Sequence, residues 1–446
     1  MRFINFLAKQ PPVRIIALGF LVTILIGAVL LMMPFSLRPD SDGLTFVDSL
    51  YTSTSAVCVT GLIVVDAGTT FTPVGQFILA LLMQVGGLGV TTIGAGVMLA
   101  VGKKINLKGM NVIKEASNLD SGGGLKKFVR DIFVYTLVIE LVGAALSFIV
   151  FVQDLPFWTA VGVSLFHSVA AFNNSGFDIL GGLMRMDGET MNSFENLIPY
   201  QSSILLNLIT ATLVILGGIG FLVIREVLQK KWHWRKYSMH TKVVLSMSAV
   251  LLVLGTLLIK LSEDVSWLGA FFFSVSTRTA GFVTYPLGSF SNAGLLLICV
   301  LMFIGASPGS TGGGIKTTTL FTLLLGIKSS ATNKSESAFK YAMPKDAFRK
   351  AAVICILALS IILCGTYLVS MFDPQVDIID ILVEIVSAFA TVGLSTGITP
   401  TLSLGSKIVT IIIMYIGRLG PLTIASLWYF SRGERFWYPE GNIAIG

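Results

Sequence analysis

Eight stretches of this sequence are apolar for 20 residues or more, and they constrain the fold more than anything else in it. They run over 15–35, 72–101, 129–152, 197–226, 241–261, 293–328, 350–372 and 404–430. A helix needs about 20 apolar residues, rising 1.5 Å each, to cross the hydrocarbon core of a bilayer. The chain is 54% hydrophobic and 12% charged, with a mean hydropathy of +0.83. That is about half the charge of an ordinary soluble domain. The expectation is an all-α polytopic protein of the cytoplasmic membrane, with the lipid bilayer as its solvent. The net charge of +7 is not gathered beside aromatic platforms, so nucleic acid is not an expected partner. Pro34 and Phe35 follow the first stretch where small residues would mark a cleavage site, so it reads as a span and not as a leader.

Four shorter apolar stretches alternate with these, at 46–58, 157–172, 266–277 and 377–390. They are too short to span and read as half-helices that enter the membrane and return. After each comes a loop with one glycine: Val59-Thr60-Gly61, Asn174-Ser175-Gly176, Thr279-Ala280-Gly281 and Thr391-Val392-Gly393. These glycines are 115, 105 and 112 residues apart. A second glycine mark lies in each following span, at Gly86, Gly217, Gly305 and Gly417, which is 25, 41, 24 and 24 residues beyond the loop glycine. A glycine pair in one membrane helix signals only close packing. Two marks recurring in phase four times identify an internal repeat. The units run 1–102, 103–228, 229–328 and 329–446, and the second has the longest outer loop.

Basic residues orient the units. The N-terminal segment, 102–130, 225–242, 328–350 and the tail hold 24 of the 31 Lys and Arg, which places them and both ends of the sequence on the cytoplasmic side. Arg38, Arg185, Lys260 and Lys407 fall outside. Acids such as Asp66, Asp178, Glu263 and Asp373 also fall outside, where they would raise the local cation concentration.

Irregular backbone at membrane depth must be enclosed by protein or line a water-filled cavity. Four half-helices converging by their C-terminal ends would each present about half a negative charge. Their loops would add carbonyls that can replace the water shell of a cation. Glycine suits such a loop because it aims carbonyls inward and leaves the axis unblocked. The twelve loop residues are therefore the candidate ion-binding filter of a single central pore, with Thr60, Thr279 and Thr391 adding hydroxyls.

The sixth stretch contains Gly305-Ala306-Ser307-Pro308-Gly309-Ser310-Thr311-Gly312-Gly313-Gly314. Inside a helix each glycine costs about 1 kcal/mol and proline about 3, so the helix is expected to break here. Its freed backbone would lie across the ion path as a gate. Charges at membrane depth are expensive and mark function. Lys316 follows this stretch, and Arg418 lies at the matching depth of the fourth unit, where it can donate to the loop's carbonyls. Arg278, three residues before Gly281, reads as a brace behind the filter, since a cation on the axis would repel the ion. Glu384 is its candidate partner, and Glu140 is a second buried acid. The run GSTGGGIKT is not a phosphate-binding loop, because Ile315 separates the glycine from Lys316 and no strand precedes it.

The stretches VCVTGL, AFNNSGF, STRTAGF and ATVGL, together with GSTGGGIKT, resemble the Trk/Ktr/HKT superfamily of cation transporters over nearly the whole chain. The resemblance is greatest to the membrane subunits of bacterial Ktr potassium uptake systems. It implies a potassium ion held by filter carbonyls, with no organic cofactor. In this family a glycine in all four loops accompanies potassium preference, and a serine in the first accompanies sodium in some plant relatives; here Gly61 occupies that position. The resemblance further implies a homodimer with one pore per subunit, seated on a separate cytosolic ring of nucleotide-binding regulatory subunits that governs the gate. The alternative is a secondary transporter coupled to sodium or protons. Such proteins use inverted repeats, whereas these units all start inside. An enzyme is not expected. His167, His233 and His240 show no metal-binding spacing, and Cys58, Cys299, Cys355 and Cys364 form no CxxC pair.

Overall fold

The computed structural model describes residues 11–41, 43–100, 125–231, 233–344 and 346–426. The tail at 435–446, expected to pack at an inner dimer face, lies outside them. The described chain is helical apart from a small hairpin pairing Ser337–Ala338 with Tyr341–Ala342. Four successive units have the same element order. The first has α1 (Pro12–Leu31), the short α2 (Phe46–Cys58), then α3 (Pro73–Leu88) and α4 (Val90–Ala100). The second has α5 (Leu125–Asp154), α6 (Phe157–Phe172), α7 (Ile204–Ile219) and α8 (Phe221–Lys230). The third has α9 (Met239–Ser262), α10 (Trp267–Ser276), α11 (Asn292–Phe303) and α12 (Thr317–Thr332). The fourth has α13 (Ala347–Phe372), α14 (Ile378–Ala390), α15 (Leu404–Leu419) and α16 (Pro421–Ser426).

Helices α1, α5, α9 and α13 are each long and apolar enough to cross a membrane. The other four long apolar stretches are broken, which corrects the expectation of one helix over 72–101, 197–226 and 404–430. Only the break at 305–314 was legible beforehand. The others fall at Gly89, Gly220 and Gly420. At Gly220 the backbone has φ 93° and ψ 142°, and the two helices diverge by 98°. The glycines clustered at 86–89, 217–220 and 417–420 equally serve close helix packing, so they did not announce these breaks.

The units close on one another. Helix α3 packs on α6, α7 on α10, α11 on α14, and α15 returns to α2. Two contacts secure this last junction between distant parts of the chain. Lys407 in α15 pairs with Asp48 in α2 at 2.8 Å, and the Tyr415 hydroxyl donates to Ala17 O at 2.7 Å. Within units, glycines in the long helices admit hydroxyls of the short ones. Ser53, Ser168 and Ser274 donate to Ile24 O, Glu140 O and Leu252 O at 2.7, 2.6 and 2.9 Å. Each seryl oxygen lies 2.4–2.5 Å from where a Cβ would stand on Gly27, Gly143 or Gly255. In the fourth unit Gly365 meets Ile413 and Ile385 instead.

The charges expected on the outer side are bound within the fold. Arg38 donates to Phe71 O at 3.2 Å, and Lys260 to Val265 O at 2.8 Å. Arg185 pairs with Asp154 at 3.0 Å, and that hydrogen bond and charge push its guanidinium above the usual range. Glu263 and Asp373 accept the backbone N–H and hydroxyl of Ser291 and Ser403, the N-caps of α11 and α15. These acids anchor helix starts.

The second glycine mark is also a close approach. A Cβ on Gly86, Gly217 or Gly417 would fall 2.0, 1.9 and 1.9 Å from Val57 O, Phe172 O and Phe389 O. Each of those carbonyls lies four residues before the loop glycine of its unit. Gly162 in α6 has nothing within 4 Å. Overpacking costs about 1–3 kcal/mol, and replacing an open helical glycine by alanine gains up to about 1 kcal/mol. Gly417→Ala is therefore expected to lower the midpoint of heat-induced loss of the monodisperse peak in detergent. Gly162→Ala should leave that midpoint equal or raise it. A Gly417→Ala protein as heat-resistant as the parent would contradict this packing.

Candidate functional site

Each short helix leads into its loop through a residue of positive φ. Val59, Asn174, Thr279 and Thr391, each two residues before the loop glycine, have φ of 58°, 59°, 152° and 52°. Left-handed backbone at a β-branched residue such as Val59 or Thr391 is strained, by roughly 1–3 kcal/mol. It persists where the surroundings over-determine it. Thr60, Ser175 and Val392 donate their N–H to Ser55 O, Ala170 O and Ser387 O at 2.7, 2.9 and 2.9 Å. In the first and fourth units a seryl hydroxyl also accepts the glycine N–H, Gly61 to Ser55 Oγ and Gly393 to Ser387 Oγ, both at 3.0 Å.

The four loop glycines expected to form a filter are brought together. A Cβ on Gly61 would fall 2.2 Å from Ser175 O, and on Gly176 2.5 Å from Ala280 O. On Gly281 it would fall 2.3 Å from Val392 O, and on Gly393 2.3 Å from Thr60 O. Each glycine thus leaves room for the next unit's carbonyl, and the fourth returns to the first. The hydroxyls of Thr60 and Thr391 are buried and meet no partner among the described residues. The Thr279 hydroxyl meets the Asn174 amide oxygen at 2.6 Å, whose nitrogen faces Ala171 O and Val214 O.

The loop 305–314 lies directly against this ring. Gly312 and Gly313 abut the hydroxyls of Thr279 and Thr391, 2.6 and 2.3 Å from where their Cβ atoms would stand. The broken span of the second unit holds the loop from one side: Ser307 N–H donates to Gly218 O at 3.0 Å, and Thr311 N–H to Gly217 O at 3.2 Å. Phe221 N–H donates back to Gly309 O at 3.0 Å. Lys316 Nζ donates to Gly312 O and Gly313 O at 2.7 and 3.2 Å. Arg418 spans three units, donating to Thr311 O through Nη1 and to Gly86 O and Gly87 O through Nη2. Lys316 and Arg418 also line a cavity of about 240 Å³, together with Phe20, Gly87 and Phe221.

Arg278 and Glu384 are both buried, but they do not pair. Arg278 donates to Ser248 Oγ at 3.2 Å, and Glu384 accepts from the Thr399 hydroxyl. Glu140 has partners that sequence did not supply: Gln84 Nε2 and Asn173 Nδ2 donate to it at 3.3 and 3.1 Å. The seryl braces also went unread, although Ser55 and Ser387 each lie six residues before a loop glycine. Removing an acceptor from a buried N–H costs about 1–3 kcal/mol. Ser387→Ala, which orphans Gly393 N–H, is expected to lower thermal stability by that order. Ser387→Thr, which keeps the hydroxyl, should lose less. Equal losses in the two variants would argue against the hydroxyl as the brace.

A family model described as TrkH, cation transport protein, matches residues 8–259 and 239–431. The chain is 34% identical over 459 residues to Ktr system potassium uptake protein B of Bacillus subtilis (strain 168), covering 100% of this chain and 99% of that protein. It is 36% identical over 457 residues to potassium/sodium uptake protein NtpJ of Enterococcus hirae, covering 98% of each. It is also 36% identical over 457 residues to Ktr system potassium uptake protein B of Vibrio alginolyticus, covering 98% of this chain and 96% of that one. Among solved structures, the potassium transporter TrkH from Vibrio parahaemolyticus shares the fold. It has a TM-score of 0.70 at 17% identity, over 94% of this chain and 86% of that one. With its family model spanning nearly every described residue and full-length relatives above 30% identity, the chain belongs to the TrkH cation transport protein family.

Proposed function

We propose that this protein takes up potassium across the cytoplasmic membrane, through a pore on the axis of its four units, with the four glycine loops as selectivity filter. The closed ring of glycines, each abutting the next loop's carbonyl, carries this reading. Carbonyls gathered at that density can replace the hydration shell of a monovalent cation. The unpartnered hydroxyls of Thr60 and Thr391 add oxygen ligands, and that of Thr391 abuts Gly313 of loop 305–314. Two relatives are named for potassium uptake and one for potassium and sodium, so competition between these ions is the informative measurement. In this reading the chain is a channel-like membrane subunit that works as a homodimer on a cytosolic nucleotide-binding ring, as the family resemblance implies. Basic inner residues such as Arg235 and Lys236 suit an acidic face on that ring.

Loop 305–314 is the gate in this reading. Its contact with Thr279 and Thr391 supports this, and Arg418 and Lys316 hold it through its carbonyls. A cation moving past must displace a strand pinned by two positive side chains, so release of the pins opens the path.

Two measurements test this. Serine at Gly61, Gly176, Gly281 or Gly393 would thrust a Cβ into the neighbouring carbonyl. Rubidium uptake into proteoliposomes should then be blocked by sodium at about tenfold lower concentration, the scale of a 1.4 kcal/mol shift. Unchanged competition in all four variants would remove the filter assignment. For the gate, Arg418→Ala and a deletion of 308–313 are each expected to raise rubidium flux in the absence of any cytosolic partner. Monodisperse variants with equal or lower flux would make the loop a packing element.

A further inference from the structure

The four glycine loops are not equivalent at their outer edge. The carbonyls of Gly61, Gly281 and Gly393 accept no hydrogen bond from the described residues. Gly176 O does, from Asn196 Nδ2 at 3.0 Å. Asn196 lies in the outer loop that makes the second unit longer than the others, in left-handed backbone with φ 52°. That conformation suits asparagine better than most residues.

Its amide is fully used. Asn196 Nδ2 also donates to Asp178 Oδ2 at 2.8 Å. Asn196 Oδ1 accepts from Leu197 N–H at 3.0 Å and from Val283 N–H at 3.2 Å. Two backbone donors therefore fix which face carries the oxygen, and the nitrogen is left to Gly176 O and Asp178. Leu197 N–H donates to Val283 O at 3.1 Å, so the same segment straps the second unit to the residues just beyond Gly281 in the third.

We propose that Asn196 is a specificity-determining residue, which biases the ring toward the larger ion by occupying the Gly176 carbonyl. This rests on the reading of the glycine ring as the filter. A carbonyl oxygen has two lone pairs and can accept an N–H while facing a cation. The N–H nevertheless draws on its electron density and competes with the ion. Selectivity in carbonyl sites depends on the number and field strength of the ligands. A weaker field repays less of the dehydration of a small ion, so it favours potassium over sodium. The longer loop of the second unit therefore supplies a donor that the other three units lack.

The test compares Asn196→Asp, Asn196→Asp with Asp178→Asn, and Gly176→Ser in proteoliposomes, reading the sodium concentration that halves rubidium uptake. Asn196→Asp keeps the size, the left-handed backbone and the acceptor for Val283 N–H, and loses only the donor. It also places two carboxylates together, a repulsion that the double variant removes without restoring the donor to Gly176 O. The proposal expects sodium to compete at about threefold to tenfold lower concentration in both Asn196 variants, the range of one neutral hydrogen bond. Parent-like competition in the double variant would assign the single variant's change to charge repulsion and overturn the proposal. Unchanged competition in both Asn196 variants, with Gly176→Ser altered, would overturn it while leaving the filter standing. Unchanged competition in Gly176→Ser as well would overturn the filter reading itself. A general loss of uptake with an unchanged sodium ratio would mark Asn196 as a structural strap only.

Discussion

A peptide group in hydrocarbon must find its hydrogen bond within the protein, and the architecture of this chain follows from that requirement. The irregular stretches at the glycine ring and at 305–314 are covered by other parts of the chain. The glycine loops are held by backbone bonds to their own short helices and, in two units, by the hydroxyls of Ser55 and Ser387. Loop 305–314 is held by the second unit's broken span and by Lys316 and Arg418. The two cations occupy an otherwise expensive depth because carbonyls released by a broken helix solvate them there.

Glycine makes this enclosure compact. In three units the second-span glycine admits a carbonyl from the end of the short helix. In three units a first-span glycine admits a seryl hydroxyl. At the ring, each loop glycine admits the carbonyl of the next unit. Polar atoms fill the places of absent side chains, so a membrane core acquires hydrogen bonds without acquiring bulk. Such contacts are close enough that one methyl group would disturb them.

The third unit departs from the pattern, and the departure is instructive. Gly305 does not meet its own short helix; it packs on Gly313 of the same loop. The inserted loop reaches Thr279 of its own unit and Thr391 of the fourth. The second unit departs differently, by sending Asn196 from its long outer loop to a ring carbonyl. A fourfold plan thus carries two local asymmetries, one on each side of the ring.

The four long helices, the four short ones, the loop glycines and the break at 305–314 were legible in sequence because each is a local property: apolar length, glycine spacing, or glycine and proline crowded together. Other features were not legible. The break at Gly220 is packed against Pro308 O of the 305–314 loop, and the glycines clustered at 86–89, 217–220 and 417–420 equally serve close helix packing, so the bends were not announced. Arg278 and Glu384 looked like a pair because both are buried charges near the ring, yet each found a hydroxyl within its own unit. Lys407 looked like an exception to the charge rule until Asp48, 359 residues away, proved to be its partner. Sequence by itself determined where the long and the short apolar helices fall along the chain. Tertiary structure decided what each buried polar group meets, because that depends on groups brought together only when the ring closes.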